Sequence, residues 1–260
     1  MSNTVGLSSR QTEIINRLGK HGFVSTAELA ASLAVSDMTI RRDTRDLATR
    51  GIVKVVHGGV SLPHGALHTT DFAERASNES DGKERIAIAC QALISPRETI
   101  IIDAGTTCFE VAHQLPNDFQ GTIITNSAPV IQQGLQFKSA RTICLGGELL
   151  QDSQAFAGDM TVAAVTRLRA QKTFLGVAAL HADGLYVDRD LELPVKRALI
   201  RAADHVVVVA TSGKMNHPAI VHLMDFDAVD TLVTEAPLPP AIAKALAGAN
   251  VRVITADQAA

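Results

Sequence analysis

The sequence predicts an α/β protein in two parts. A small α+β module with a β-wing comes first, and a doubly wound, mainly parallel α/β domain follows. Three observations carry this. Beyond residue 83, short β-rich apolar runs alternate with helical stretches, the pattern of a parallel sheet covered on both faces. Before residue 60, three helix starts with their own caps follow one another closely. Charge is also divided: residues 1–60 carry a net +3 and the remaining 200 a net −6. The boundaries read as 1–60, a connector over 61–82, and 83–260.

Composition narrows the function classes. With 46% hydrophobic and 20% charged residues, the 260-residue chain can build sizeable cores. Aromatics are only 3%, with no Trp, which argues against base-stacking readers of RNA or single strands. No apolar run approaches the roughly 18 residues of a membrane span. The start, Met1-Ser2-Asn3-Thr4, lacks the basic and apolar pattern of a secretory leader, so a cytoplasmic location away from membranes is expected. Cys90, Cys108 and Cys144 are odd in number and far apart, as expected of reduced thiols. His217 and His222 are five apart and share no helix face, so neither a metal nor a cofactor is expected.

The first module can be read from its caps. Ser8-x-x-Gln11 opens a helix with Ile14, Ile15 and Leu18 on one face, ended by Gly19 and Gly22. Ser25-x-x-Glu28 opens a short second helix with Leu29 and Leu33 one turn apart. Ser36 caps a third over residues 37–49, with Val35 and Ile40 spaced as a hydrophobic staple. Ile40, Thr44 and Leu47 face its core side. Residues 52–56 then read as a strand and His57-Gly58-Gly59 as a tight turn.

Two short helices joined by about three residues, the second one basic, describe a winged helix-turn-helix. Met38, Thr39, Arg41, Arg42 and Arg45 lie off the core face of the reading helix. Arg suits base edges and phosphates because its planar fork bonds both bidentately. The plain alternative is a solvated face whose arginines pair with nearby acids.

In the connector, Phe72 and Arg75 are either anchors to a neighbouring surface or part of a solvated stretch. Beyond it, strands are expected over 99–103, 122–125, 142–145, 172–177, 206–210, 231–234 and 251–254. Helices are expected over 83–93, 107–115, 128–135, 161–168, 193–203 and 240–247. Ligands of such sheets sit at the carboxyl ends of the strands. Those ends run into Asp103-Ala104-Gly105-Thr106-Thr107, Thr125-Asn126-Ser127, Gly146-Gly147-Glu148 and Thr211-Ser212-Gly213-Lys214. Glycine admits close backbone approach, and a helix N-terminus with threonine hydroxyls suits a phosphate. Glu192 and Lys196, four apart at a helix start, read equally as an ordinary ion pair.

Both halves carry a resemblance. Ser36-Asp37-Met38-Thr39-Ile40-Arg41-Arg42-Asp43, Leu47 and His57-Gly58-Gly59-Val60 resemble the winged helix-turn-helix of DeoR-type bacterial transcription regulators. The upstream stretches Phe23-Val24 and Glu28-Leu29-Ala30 match the same pattern, and Thr44 departs from its usual Leu. Asp103-Ala104-Gly105-Thr106-Thr107, Leu145-Gly146-Gly147, Ala157-Gly158, Gly184-Leu185, Glu192-x-x-x-Lys196-Arg197 and Ser212-Gly213-Lys214 are similar to that family's sensor domain, of the ribose-phosphate-isomerase-like type. The resemblance implies that Ser36, Thr39, Arg41 and Arg42 meet double-stranded operator DNA, with Met38, Arg45 and His57 beside them. It implies that Asp103, Gly105, Thr106, Thr107, Asn126, Gly147, Glu192 and Lys214 line a pocket for a phosphorylated sugar or related metabolite. A repressor of a carbohydrate-metabolism operon, working as a homo-oligomer, is therefore expected. Where the family usually has Asp-Ser-Ser-Lys, this chain has Thr211-Ser212-Gly213-Lys214, which lacks that carboxylate.

Two rivals remain at this level. One is a sugar-phosphate isomerase or deaminase with an accessory head. Against it, the stretch Ala178-Ala179-Leu180-His181 holds no carboxylate before Asp183 to move a proton. The other is a protein-interaction module, which the salt dependence of binding separates from a DNA binder.

Overall fold

In a computed structural model, the chain divides into two compact units, Met1–Thr70 and Asp71–Ala260. The structure describes residues 7–21, 23–50, 52–56, 59–61 and 72–256.

The first unit is built from α1 (Ser9–His21), β1 (Phe23–Ser25), α2 (Thr26–Ser32), α3 (Asp37–Thr49), β2 (Lys54–Val56) and β3 (Gly59–Ser61). Each helix start has its cap. Ser8 and Gln11 exchange side-chain bonds with each other's backbone N–H, at 3.2 and 3.0 Å. The Ser25 hydroxyl accepts from Glu28 N at 3.1 Å and the Ser36 hydroxyl from Thr39 N at 3.3 Å. Helix α1 does not stop at Gly19 but runs through it to His21. A mid-helix glycine costs only about 1 kcal/mol, and the fully buried Leu18 beside it holds the turn. The core joins Ile14, Leu18, Leu29, Ile40, Leu47, Val53 and Val60, with Val35 packed against it. The wing is a three-stranded antiparallel sheet in the order β1-β3-β2. Its first strand is not legible in the sequence because three residues show no period.

The second unit opens with α4 (Phe72–Ser77) and α5 (Ser80–Gln91), within and just beyond the stretch that reads as connector. Phe72 is buried, edge-on to Phe109 at a centroid distance of 6.1 Å. Arg75 donates to Asp152 O at 3.3 Å. The buried Lys83 turns its ammonium back onto the carbonyls of Arg75 and Asn78. It thereby closes the end of α4 and fixes the corner between the two helices.

The elements that follow are β4 (Thr99–Ile102), α6 (Thr106–His113), β5 (Thr122–Thr125), α7 (Ala128–Gly134), β6 (Arg141–Cys144), β7 (Glu148–Leu150), β8 (Ala155–Ala157), α8 (Asp159–Val165), β9 (Ala170–Gly176), β10 (Ala179–His181), β11 (Gly184–Val187), α9 (Leu193–Arg201), β12 (Ala203–Val209), β13 (Val221–Met224), β14 (Thr231–Thr234), α10 (Pro240–Gly248) and β15 (Arg252–Thr255). All seven expected strands form one parallel sheet, in the order β15-β14-β12-β9-β4-β5-β6. Alternate residues serve opposite faces, as strand geometry requires. Ile100, Ile102, Phe174, Val207 and Val209 pack with α5 and α6. Ile101 turns to α8 and α9, while Leu175, Val206 and Val208 turn to α10 and a small antiparallel sheet, β10-β11-β13. Chain order runs outward in both directions from the β4/β9 pair, so the topological switch point lies there.

Candidate functional site

In the first unit, Met38, Arg41, Arg42 and Arg45 project from α3 into solvent, Thr39 is half-buried, and Ser36 is exposed at the cap. Two acids of the same helix, Asp43 and Asp46, are already engaged. Asp43 Oδ2 lies 2.5 Å from Arg10 Nε, and Asp46 Oδ2 accepts from Gln11 Nε2 at 2.8 Å and pairs with Arg50 at 3.1 Å. Arg42 lines the same cleft as Arg10, Asp43 and Asp46 without reaching ion-pair distance of either acid. Among the described residues, Arg41, Arg42 and Arg45 form no ion pair. The pairing expected of a merely solvated face is therefore taken up by α1 and the C-terminal end of α3. Thr44 is buried and donates to Ile40 O at 2.9 Å, so its hydroxyl is satisfied within the helix. His57 lies outside the described residues.

In the second unit, the carboxyl edge of the sheet gathers the polar chemistry. At the switch point, Lys196 from α9 places Nζ 2.5 Å from Asp103 Oδ2 and donates to Gly176 O at 2.8 Å. Gly176 N donates to the same Asp103 oxygen at 3.2 Å. Burial alone lowers the lysine's pKa, but Asp103 and then Glu192 outweigh it, and the net shift is upward. The ordinary pair that the spacing allows between Glu192 and Lys196 is not formed; the helix directs the lysine onto the sheet, where it meets Asp103. Glu192 stands half-buried at the start of α9. Burial raises its carboxyl pKa; Lys196 opposes the shift, and Asp103 and Asp188 add to it.

Around this knot, Gly105 caps α6 at φ +133°, a conformation open to glycine, and leaves the first N–H groups of the helix without helical acceptors. Thr106 is buried and Thr107 half-buried at that end. Asn126 donates to Phe156 O at 3.2 Å, while its buried Oδ1 has no partner among the described residues. An orphaned buried acceptor calls for a water or a ligand. Gly147 has a packing account: at φ +142°, a Cβ there would lie 2.2 Å from Thr161 Oγ1.

Lys214 is half-buried; its backbone N–H donates to Thr211 O at 2.9 Å, while its ammonium donates to no described residue. Burial pushes its pKa down, Asp188 and Glu79 oppose this, and Arg75 adds to it. Arg189 pairs with Asp152 at 2.6 Å. Sequence reasoning missed Glu79, Asp152, Asp188, Arg189 and Glu235. The one available signal was the charged run Asp188-Arg189-Asp190 between a strand and Glu192. Among the described residues, no three metal-ligating side chains come together, and no helix is long and apolar enough to cross a membrane.

The two units match known proteins separately and as a whole. Residues 10–66 match the DeoR-like helix-turn-helix domain and residues 78–236 the DeoR C terminal sensor domain. The chain is 32% identical to the glycerol-3-phosphate regulon repressor of Escherichia coli K12 over 247 residues, covering 95% of this chain and 98% of that one. It is 34% identical to the Haemophilus influenzae protein of the same name over 228 residues, covering 87% and 89%. Among solved structures, ribose 5-phosphate isomerase A from Methanocaldococcus jannaschii aligns at 14% identity and a TM-score of 0.40, over 53% of this chain and 55% of that one. By both domain matches and by these full-length relatives, the chain belongs to the DeoR family of transcriptional regulators.

Proposed function

We propose that the chain is a repressor that binds a double-stranded DNA operator through α3 and is controlled by a phosphorylated sugar or related metabolite held at the carboxyl edge of the parallel sheet. Family membership supports the regulator, and one observation carries the effector. Lys214 is half-buried beside Arg75 and Asp188, and its ammonium is unspent on any described residue. A cation so placed favours an anion, and the open N-terminus of α6 and the orphaned Asn126 Oδ1 lie at the ends of strands of the same sheet. Effector bound there biases how two heads of a homo-oligomer are presented to paired half-sites.

Turnover is not assigned to the site. Asp103, the buried carboxylate at the switch point, is already bonded to Lys196 and Gly176 and is poorly placed to shuttle a proton. The working compartment is the cytoplasm, where the operator is. A mobility-shift titration on the DNA upstream of its own gene tests the reading, repeated with a panel of sugar and polyol phosphates that includes glycerol 3-phosphate. Binding that weakens steeply with salt and is released by one phosphate ester is expected. Chemical conversion of any ester by the purified protein would overturn the reading.

A further inference from the structure

Glu79, in the second unit, has a local structure that its own element does not explain. It sits at the N-cap of α5 in the left-handed region, φ +53°, and makes no capping bond there. A non-glycine residue held in this region is characteristic of sites where the backbone serves something other than its own regularity. Its carboxylate reaches instead to the carboxyl end of β12, where Oε2 accepts from the buried Thr211 hydroxyl at 2.7 Å.

The loop beyond β12 is shaped to receive it. A Cβ at position 213 would lie 2.5 Å from Glu79 Oε1 and 2.9 Å from Oε2, so Gly213 leaves the room that the carboxylate occupies. From the other side, Glu235 holds the same loop, accepting from Ser212 N at 2.9 Å and from Ser212 Oγ at 2.5 Å. The loop is therefore fixed from two directions, and the Glu79 carboxylate lies against Gly213, the residue before Lys214. Glu79 is exposed, and Oε1 accepts no hydrogen bond from a described residue.

A free carboxylate oxygen beside an anion-seeking lysine has a chemical consequence. It repels a second negative charge on whatever the lysine holds, and it accepts from a hydroxyl or ammonium on the same molecule. We infer that Glu79 is a specificity-determining residue of the effector site, accepting a hydroxyl of the ligand and excluding phosphate esters that carry a carboxylate. This rests on the effector reading of the sheet edge.

The test uses the full chain and calorimetric titration with two matched pairs: glycerol 3-phosphate against 3-phosphoglycerate, and glucose 6-phosphate against 6-phosphogluconate. The wild-type chain is expected to prefer the member without the carboxylate in whichever pair it binds. Glu79→Gln keeps the shape and removes the charge, so that preference should fall by at least about tenfold, since like-charge juxtaposition is the discriminating element. Gly213→Ala displaces the carboxylate without altering it and should shift the preference the same way. It also provides a second route should Glu79→Gln fail to fold. Unchanged preference in a folded variant of either kind overturns the role of Glu79 while leaving the sensor reading intact. Binding of neither pair by the wild-type chain, together with no release of DNA by any phosphate ester, overturns both.

Discussion

Lys196 and Asp103 are 93 residues apart in the chain and 2.5 Å apart in space, joined at the switch point of the sheet with almost no exposure to water. Two consequences follow from that burial. Asp103 orients the start of the β4–α6 loop, and Lys196 ties α9 to the ends of β4 and β9.

Removing one partner leaves the other charged and buried, which typically costs about 3–5 kcal/mol. Asp103→Asn or Lys196→Met should each lower the melting temperature of the second unit by on the order of 10 °C, at about 2–4 °C per kcal/mol for a domain of this size. The double variant should recover most of the loss, because no lone charge remains. Thermal unfolding of the three variants checks this, and additive losses would refute the account.

Glu192 gives a pH dependence of definite sign. Its folded-state pKa is raised, first by burial and then by Asp103 and Asp188, against the opposing Lys196. The native state therefore holds this proton more tightly than the unfolded chain does. The associated stability is fully present below the ordinary carboxyl range and is lost as pH rises through the raised value. Glu192→Gln should flatten this decline, so that the variant without ligand melts higher than the wild type at neutral pH. Scanning calorimetry from pH 4 to 8 in the absence of phosphate measures it.

The sheet was legible in the sequence because each buried strand is a short apolar run bounded by turn residues. All seven such runs entered the one parallel sheet. The small strands β7, β8 and β10 have three residues each, too few to show a period. The caps Ser8, Ser25 and Ser36 were readable because capping needs particular side chains at fixed spacing. Glu79 was not, and of Arg75 only a possible anchor could be read, since both lie in a stretch whose composition reads as connector. Their placement depends on Lys83 closing the end of α4, a long-reach interaction that no local pattern encodes. Asp103 was readable as a strand-end carboxylate, whereas spacing pairs its partner Lys196 with the nearer Glu192. Proximity in sequence is a poor guide to which of two acids a helical lysine meets across a sheet.

Lys214 should set the pH window of effector binding. Its ammonium must be charged to hold a phosphate, and burial, followed by the opposing pull of Asp188, leaves its pKa below the ordinary lysine value. Affinity should therefore begin to fall at a lower pH than an ordinary lysine would give. It should also fall below about pH 6, where the phosphate itself takes up a proton. Lys214→Met should weaken binding by about 10–100-fold, as expected when a charge-assisted hydrogen bond worth about 1.5–3 kcal/mol is removed. Titration of the effector against pH, for both proteins, checks the prediction: the alkaline limb should be absent in the variant.

The reading helix offers the last prediction. Arg42 is exposed and free of described ion-pair partners, while Asp43 and Asp46, which line the same cleft, are bound by Arg10 and by Arg50. Arg42→Ala should therefore cost about 1–3 kcal/mol of operator affinity, roughly 10–100-fold, without lowering the melting temperature. Its salt dependence separates two roles. If the guanidinium meets a phosphate, its removal lowers the slope of log affinity against log salt by about one. If it meets a base edge, its removal leaves the slope and flattens discrimination among operator sequences. Arg10→Ala acts differently. Arg10 bonds the reading helix through Asp43, whose carboxylate the substitution leaves buried without its ion-pair partner. It should lower both the stability of the first unit and the affinity for every DNA sequence alike, because an unneutralised acid then stands on the helix that approaches the phosphates. Pairing it with Asp43→Asn should restore affinity, a rescue not expected for Arg42→Ala. Mobility shifts at two salt concentrations with the four variants, alongside thermal unfolding, distinguish a residue that meets DNA from one that holds the helix that does.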